Sequence, residues 1–243
     1  MNYGLYTSFL GMRARQRTLE AQANNIANAL TAGFKAERLV YQTFESEQKA
    51  DSDKQSLVAG ALAGSGIDFS QGSISQTGRP LDVAIEGEAF LQIQTPQGPR
   101  YTRAGNLSLD RNGQLVTKNG DLVVGERGPI TVPGEGELSI GQDGTLAVKG
   151  QAFDRLKLVR FNNPASALIK EGDSLFMETG NEKPLEDVNS KVVQGSLENS
   201  NINSISEMVA MINNNREFES LQKSVSLMMN DLGRKIAGEI GKI

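Results

Sequence analysis

The sequence predicts a mainly β central domain flanked by N- and C-terminal α-helices that pair as a coiled coil on assembly. Three observations predict it. Apolar residues recur in heptads at the start of the chain, they do so again at its end, and between the two the period shortens to two with turn residues at short intervals.

At the N-terminus Leu5, Phe9, Met12, Gln16, Leu19, Ala23, Ile26 and Leu30 follow one another at alternating spacings of four and three. That spacing places them on one helical seam, and a strict heptad calls for a partner helix rather than for a globular core. Gln16 is a polar intruder in it. Residues 1–35 are therefore assigned to an N-terminal axial helix. The run Ala23-Asn24-Asn25-Ile26-Ala27-Asn28 places three Asn near the helix end, which costs helix propensity unless the amides are used. Two readings stay open there: fraying toward Gly33, a natural C-terminal stop, or a partner contact through Asn24 and Asn25.

Residues 36–75 read as a connector, because 45–66 is polar or Ala/Gly-rich and holds no sustained period. An all-β domain follows over 76–187. Leu81, Val83 and Ile85 alternate with Asp82, Ala84 and Glu86, and further short apolar runs come at 90–93, 107–109, 115–116, 122–124, 138–140, 146–148, 156–161 and 174–177. Pro96-Gln97-Gly98, Asn112-Gly113, Asn119-Gly120 and Asp143-Gly144 supply the residues that tight hairpins need.

Residues 188–203 read as a second connector, and 204–243 as a C-terminal axial helix. Its seam is Met208, Met211, Asn215, Phe218, Gln222, Val225, Met229, Leu232 and Ile236. Ser204 and Glu207 are spaced as a capping box. At ~1.5 Å per residue the span 204–237 makes a rod of about 50 Å. With Gln16, Asn215 and Gln222 in the seams, isolated helices are expected to be marginal, while the polar residues fix register once packed.

Composition narrows the function. The chain of 243 residues is 38% apolar and 5% aromatic with no Trp, so part of it is expected to lack a core of its own. It has neither Cys nor His, which excludes disulfides, thiolate metal sites, Ser/His/Asp triads and imidazole acid–base chemistry. No run approaches the ~18 apolar residues of a membrane span, and Met1-Asn2-Tyr3-Gly4 lacks the basic-then-apolar order of a cleavable signal. Net charge is +2 over residues 1–50, −6 over 51–190 and 0 over 191–243, making −4 in all. No basic face suits nucleic acid or anionic lipid.

Sites that could carry chemistry have simpler readings. Asp110-Arg111-Asn112-Gly113 and Gln142-Asp143-Gly144-Thr145 resemble fragments of calcium loops but fall short of the ligand count and read as hairpin turns. Gly60, Gly64 and Gly66 lack the following Lys-Ser/Thr of a phosphate cradle and read as connector. Asp82, Glu86 and Glu88 could form a glycosidase pair if one were buried, but they read as the solvent face of a strand. Tyr101-Thr102-Arg103 reads as cross-strand pairing. No catalytic, cofactor or metal residue is expected.

Four blocks, taken together, carry a resemblance. They are Asn24-Asn25-Ile26-Ala27-Asn28 with Thr31-Ala32-Gly33-Phe34-Lys35; Thr77-Gly78-Arg79-Pro80-Leu81-Asp82-Val83-Ala84-Ile85-Glu86-Gly87; Tyr101-Thr102-Arg103-Ala104-Gly105-Asn106; and Val193-Gln194-Gly195-Ser196-Leu197-Glu198 with Ser200-Asn201-Ile202-Asn203 and Glu207-Met208-Val209. In this order they resemble the flagellar basal-body rod and hook proteins, over nearly the whole chain. Leu30 departs from the polar residue that the family usually carries there.

The resemblance implies a structural subunit of the bacterial flagellar rod in the periplasm, with no enzymatic activity. It implies partners in other rod subunits and in further copies of the chain. It also implies secretion through the flagellar export apparatus, without insertion into the membrane. Asp68-Phe69-Ser70-Gln71-Gly72 and Gly128-Pro129-Ile130 are most similar to the proximal-rod branch, a distal-rod or hook-type paralogue being the alternative. A surface binding protein with a coiled-coil stalk, forming a small discrete oligomer, is the reading outside the family. The expected subunit-packing residues are Leu5, Phe9, Met12, Leu19, Asn24, Asn25 and Ile26, with Met208, Met211, Phe218, Val225, Met229, Leu232 and Ile236 on the second helix.

Overall fold

The computed structural model describes residues 3–45, 58–134, 136–180 and 182–240, with side chains described over 8–40 and 64–230, save 135 and 181, and at 233–234. The chain divides into two compact units. One comprises Met1–Ala27, Glu37–Gly66 and Asn203–Ile243; the other comprises Asn28–Ala36 and Ile67–Ile202.

Two helices, Tyr3–Ala27 and Ser204–Ile240, dominate the first unit. The second starts where Asn203 accepts a hydrogen bond from the Ser206 amide at 3.1 Å on its side-chain oxygen, and one from the Glu207 amide at 3.0 Å on its carbonyl. Asn203 is thus the N-cap, and Ser204, expected as the cap, is the first residue inside. The two helices pack antiparallel. A Cβ built on Gly11 would lie 3.9 Å from Leu221, Arg15 Nη1 donates to Asn214 Oδ1 at 2.9 Å, and Asn214 Nδ2 donates to Gln22 Oε1 at 2.9 Å.

This pairing buries part of each predicted seam. Met12, Leu19 and Ile26 are partly buried, but Phe9, Gln16 and Ala23 are exposed. On the second helix Met211, Phe218 and Val225 are partly buried, whereas Met208, Asn215, Gln222 and Met229 are exposed. A two-helix contact covers only one narrow face, and here Arg15, Gln22, Asn214 and Leu221 complete it. The side chains of Leu5, Leu232 and Ile236 lie outside the described residues. Leu30 leaves the seam altogether, because the helix ends at Ala27 in a turn where the Thr31 amide donates to Asn28 O at 3.0 Å, and Leu30 is fully exposed.

Both stretches read as connectors contribute strands. Ala36–Glu45 pairs with Val58–Asp68, Ile74–Gln76 with Ser196–Glu198, and Val83–Glu86 with Lys191–Gln194. Ladder hydrogen bonds come from the backbone, so a Gly- and Ala-rich sequence such as Val58–Asp68 forms them without an alternating pattern to announce it. Residues 46–57 of the first connector lie outside the described residues.

In the second unit the strand Phe90–Thr95 is the hub. It pairs with Gly98–Thr102 on one side and Leu122–Gly125 on the other, and its first two residues pair with Leu158–Arg160. Successive side chains of a strand point to opposite faces, so this strand serves two cores. Leu91 and Ile93 enter a cluster with Ile85, Leu107 and Leu146; Phe90 enters another with Tyr101, Phe161 and Phe176. The rings of the latter meet edge to face, with centroids 5.0 Å apart for Tyr101 and Phe161 and 6.0 Å for Phe90 and Phe176, the arrangement their quadrupoles favour.

The predicted turns are in place as turns. Asp110 Oδ1 accepts from the Asn112 and Gln114 amides at 2.9 and 2.7 Å. Asp143 accepts the Thr145 hydroxyl and amide at 2.7 and 3.1 Å, which, helped by Arg155, holds its carboxyl down at about 2. These oxygens are committed to their own loops.

Candidate assembly surface and buried charge cluster

On the helix unit, the intramolecular pairing leaves large apolar side chains uncovered at the start of Ser204–Ile240. Ile205, Met208, Val209 and Ile212 are all exposed, and their spacing of three, one and three residues sets them on one stripe. Leu227, Met228 and Met229 are exposed further along, and Phe9 is exposed on the first helix. Of the stripe, sequence reasoning had marked Met208 alone. Ile205, Val209 and Ile212 carried a signal, a second apolar period beside the first, which a single-seam reading passes over.

The Asn-rich block at the end of the first helix puts its amides to use within the chain: Asn28 Oδ1 accepts the Thr31 hydroxyl at 3.2 Å. Asn25 is buried; its Nδ2 donates to Glu37 O at 2.9 Å and its Oδ1 accepts the Glu37 amide at 3.0 Å. Both open hydrogen-bonding groups of one backbone residue are thereby satisfied. Asn24 is exposed.

In the β unit, residues from three of the four sequence blocks meet around Glu198. Its Oε1 accepts Lys35 Nζ at 2.6 Å and the Gly72 amide at 2.9 Å, while Oε2 accepts Arg103 Nη1 at 3.1 Å. Lys35 also donates to Ser70 O at 2.7 Å, and Arg103 Nη2 to Gly87 O at 2.7 Å. The Arg103 guanidinium stands 5.0 Å over the Phe90 ring, while its Nε is buried without a partner. Burial pulls both the Lys35 ammonium and the Arg103 guanidinium below their usual ranges, and Glu198 opposes the shift. Sequence reasoning missed this cluster. Lone charges beside apolar residues, as in Phe34-Lys35 and Leu197-Glu198, were its only trace.

Asp82 corrects an expectation. It was assigned to a solvent face with Glu86 and Glu88, which are exposed, but Asp82 is 1% exposed. Val83–Glu86 is buried at its first three positions, with Val83 and Ile85 in the core cluster and Ala84 between them fully buried as well. Asp82 Oδ2 accepts the Thr77 hydroxyl at 2.7 Å. The Arg79 guanidinium lies 3.7 Å from Oδ1, too far for a hydrogen bond, so that oxygen has charge nearby and no donor. Tyr101-Thr102-Arg103 is structural: Tyr101 faces Gln92 and Phe176 across its two strand partners, and Thr102 Oγ1 donates to Ser174 O at 2.8 Å.

In the cleft lined by Glu126, Asp143, Arg155 and Asp187 the carboxylates at the Asp143 end are engaged. Arg155 reaches Asp143 at 2.9 Å and Glu126 at 3.6 Å. Among the described residues no group of His, Cys, Asp or Glu is arranged to hold a metal ion, and no helix is long and apolar enough to cross a membrane.

Comparison with known proteins agrees with the order of the blocks. A family described as Flagella basal body rod protein matches residues 5–35. Flagellar hook protein FlgE/F/G D1 domain matches 84–148, and Flagellar basal body rod FlgEFG protein C-terminal matches 193–230. A flagellar basal-body rod protein FlgF of Caulobacter vibrioides is 34% identical, with 100% of both chains covered. A flagellar basal-body rod protein FlgG of Buchnera aphidicola subsp. Acyrthosiphon pisum is 35% identical over 91% of this chain and 94% of its own. The FlgF of Escherichia coli is 32% identical over 96% and 97%. With the two terminal helices, the β unit between them and these full-length relatives in agreement, the chain belongs to the flagellar basal-body rod protein family and is FlgF-like within it.

Proposed function

We propose that the chain is a structural subunit of the flagellar basal-body rod, which polymerises through its terminal helices with other rod subunits and with copies of itself to transmit torque. The observation that carries this reading is the stripe Ile205, Met208, Val209 and Ile212, with Phe9 and Met229, left exposed on helices already paired within the chain. Large apolar side chains in a row are a surface that gains stability by being covered, and in a polymer each subunit covers the next. Leu5, Met12, Leu19, Asn24 and Ile26 on one helix, with Met211, Phe218, Val225, Leu232 and Ile236 on the other, complete the coiled-coil packing on assembly, whereas Asn25 is already engaged with Glu37. In this reading residues 1–35 and 204–243 are the axial segments, and 76–187 is the outward β domain.

The rod lies in the periplasm, and the chain reaches it through the flagellar export apparatus. Its role is mechanical rather than enzymatic. The proximal position is supported by the end-to-end match to a relative named FlgF; relatives named FlgG, of similar identity, keep the distal position as the second reading. Thiol chemistry tests the assembly surface, since the chain has no Cys. An Ile212→Cys variant carrying a photocrosslinker attached through its thiol, which bonds to whatever chain covers it, is expected to form covalent multimers on illumination of isolated basal bodies and to stay monomeric when purified. Monomers alone in basal bodies would contradict the reading.

A further inference from the structure

We infer that residues 28–36 are a strap closed onto the β unit by Glu198, a clasp that makes the attachment of the strap depend on a residue far along the chain. Lys35 and Glu198 are 163 positions apart, and neither is exposed. The strap is pinned at three successive points: the Gly33 amide donates to Glu198 O at 2.8 Å, Lys35 donates to the Glu198 carboxylate, and the Ala36 amide donates to Asn201 Oδ1 at 2.9 Å. Gly33 makes the close approach possible. It has φ +66°, and a Cβ there would collide with the backbone of Arg103 and Ala104.

The charge balance of the cluster says which part gives way first. Two buried cations, Lys35 and Arg103, share one buried carboxylate. Without the charge of Glu198 they become like charges in a poorly solvated place, and one of them has to reach water. Arg103 is held from several sides, by Gly87 O at 2.7 Å and by the Phe90 ring beneath it. Lys35 also has a carbonyl, Ser70 O at 2.7 Å, but no ring among the described residues beneath it, and it sits on a segment outside any strand, just before Ala36–Glu45 begins. It is therefore Lys35 that leaves, taking the strap with it, while the sheet around Phe90–Thr95 stays folded. Phe34, buried with Lys170 Nζ 3.3 Å above its ring, would be uncovered in the same movement. Until residues 196–201 are in place the strap lacks all three of these pins. This ordering rests on the β unit alone and stands or falls independently of the rod assignment.

Trypsin reads the strap directly, because the bond after Lys35 is protected only while Lys35 is buried. In the full chain, Glu198→Gln keeps the shape and removes the charge. It is expected to speed cleavage after Lys35 by roughly 100-fold, the order set by leaving a buried charge unpaired, with the β-sheet circular dichroism unchanged. Cleavage that is no faster, or that rises only together with global unfolding, would overturn the clasp. Should Glu198→Gln fail to fold, Lys35→Met decides, since it leaves Arg103 and Glu198 balanced. The Gly33 and Ala36 amides are then expected to exchange roughly tenfold faster, the loss of about one charged hydrogen bond, with Ile93 unaffected. Unchanged protection at Gly33 and Ala36 would equally overturn it.

Discussion

Asn25 and Glu37 are joined twice, the side-chain amide of one donating to and accepting from the backbone of the other at 2.9 and 3.0 Å. The pair closes the chain reversal between the first helix and the strand Ala36–Glu45. It also settles how one Asn of that block is used: the amide serves the backbone of the same unit.

Asn25→Ala is therefore expected to destabilise this reversal by roughly 1–2 kcal/mol, because a partly buried backbone donor and acceptor lose their partners together. Hydrogen exchange checks it. The Glu37 amide should speed up by a factor of about 10, with Ile93 and Leu146 in the β unit unchanged.

Asp82 and Glu86 are expected to behave differently although the sequence presents them alike. Asp82→Ala removes the charged acceptor of the Thr77 hydroxyl, and the loss of a hydrogen bond to a charged group is expected to cost about 1.5–3 kcal/mol. The melting midpoint should fall by about 2–4 °C for each kcal/mol in a chain of this size. Glu86→Gln, at an exposed position, should stay within about 0.5 kcal/mol. Equal midpoints for the two variants would return Asp82 to the surface.

Tyr101 makes the β unit sensitive to alkali. Burial, assisted by Glu178, pushes its hydroxyl from 10.0 up to about 12, and the hydroxyl donates to Glu178 Oε2 at 3.3 Å. In the unfolded chain the proton leaves near pH 10, earlier than in the folded one, so ionisation pulls toward unfolding. The stabilisation is complete below pH 10 and is lost as pH rises through about 12, a loss of up to roughly 2 kcal/mol. Denaturant titrations across this window should show the decline in the natural chain and a flatter profile for Tyr101→Phe.

How much of this was legible in the sequence depends on what kind of force leaves a pattern. The helices and the hairpins around Gly98, Gly113 and Gly144 announce themselves, because apolar period and turn chemistry are local. The strands Ser196–Glu198 and Val58–Asp68 do not, since they are held by backbone ladders and their side chains alternate weakly. The seams were half legible. Met12, Leu19, Met211 and Phe218 point inward as the heptad demands, but Arg15 and Asn214 share that face, and a hydrophobic count gives polar contacts no weight. The Glu198 cluster was beyond reach of periodicity, for its members come from positions 35, 72, 103 and 198 and only the tertiary fold brings them together.

The central claim is that neighbouring subunits cover the exposed stripe of the second helix. Its most direct test is a count of complete rods in a null strain complemented with the double variant Met208→Glu and Ile212→Glu, beside a melting curve of the same purified protein. Both side chains are exposed in the single chain, so the melting midpoint should move by no more than the effect of two surface substitutions, about 1 kcal/mol. In a polymer each would bury a carboxylate against apolar partners at every repeat, so rods should be absent or reduced at least tenfold. Normal rods with a normal midpoint would contradict the account.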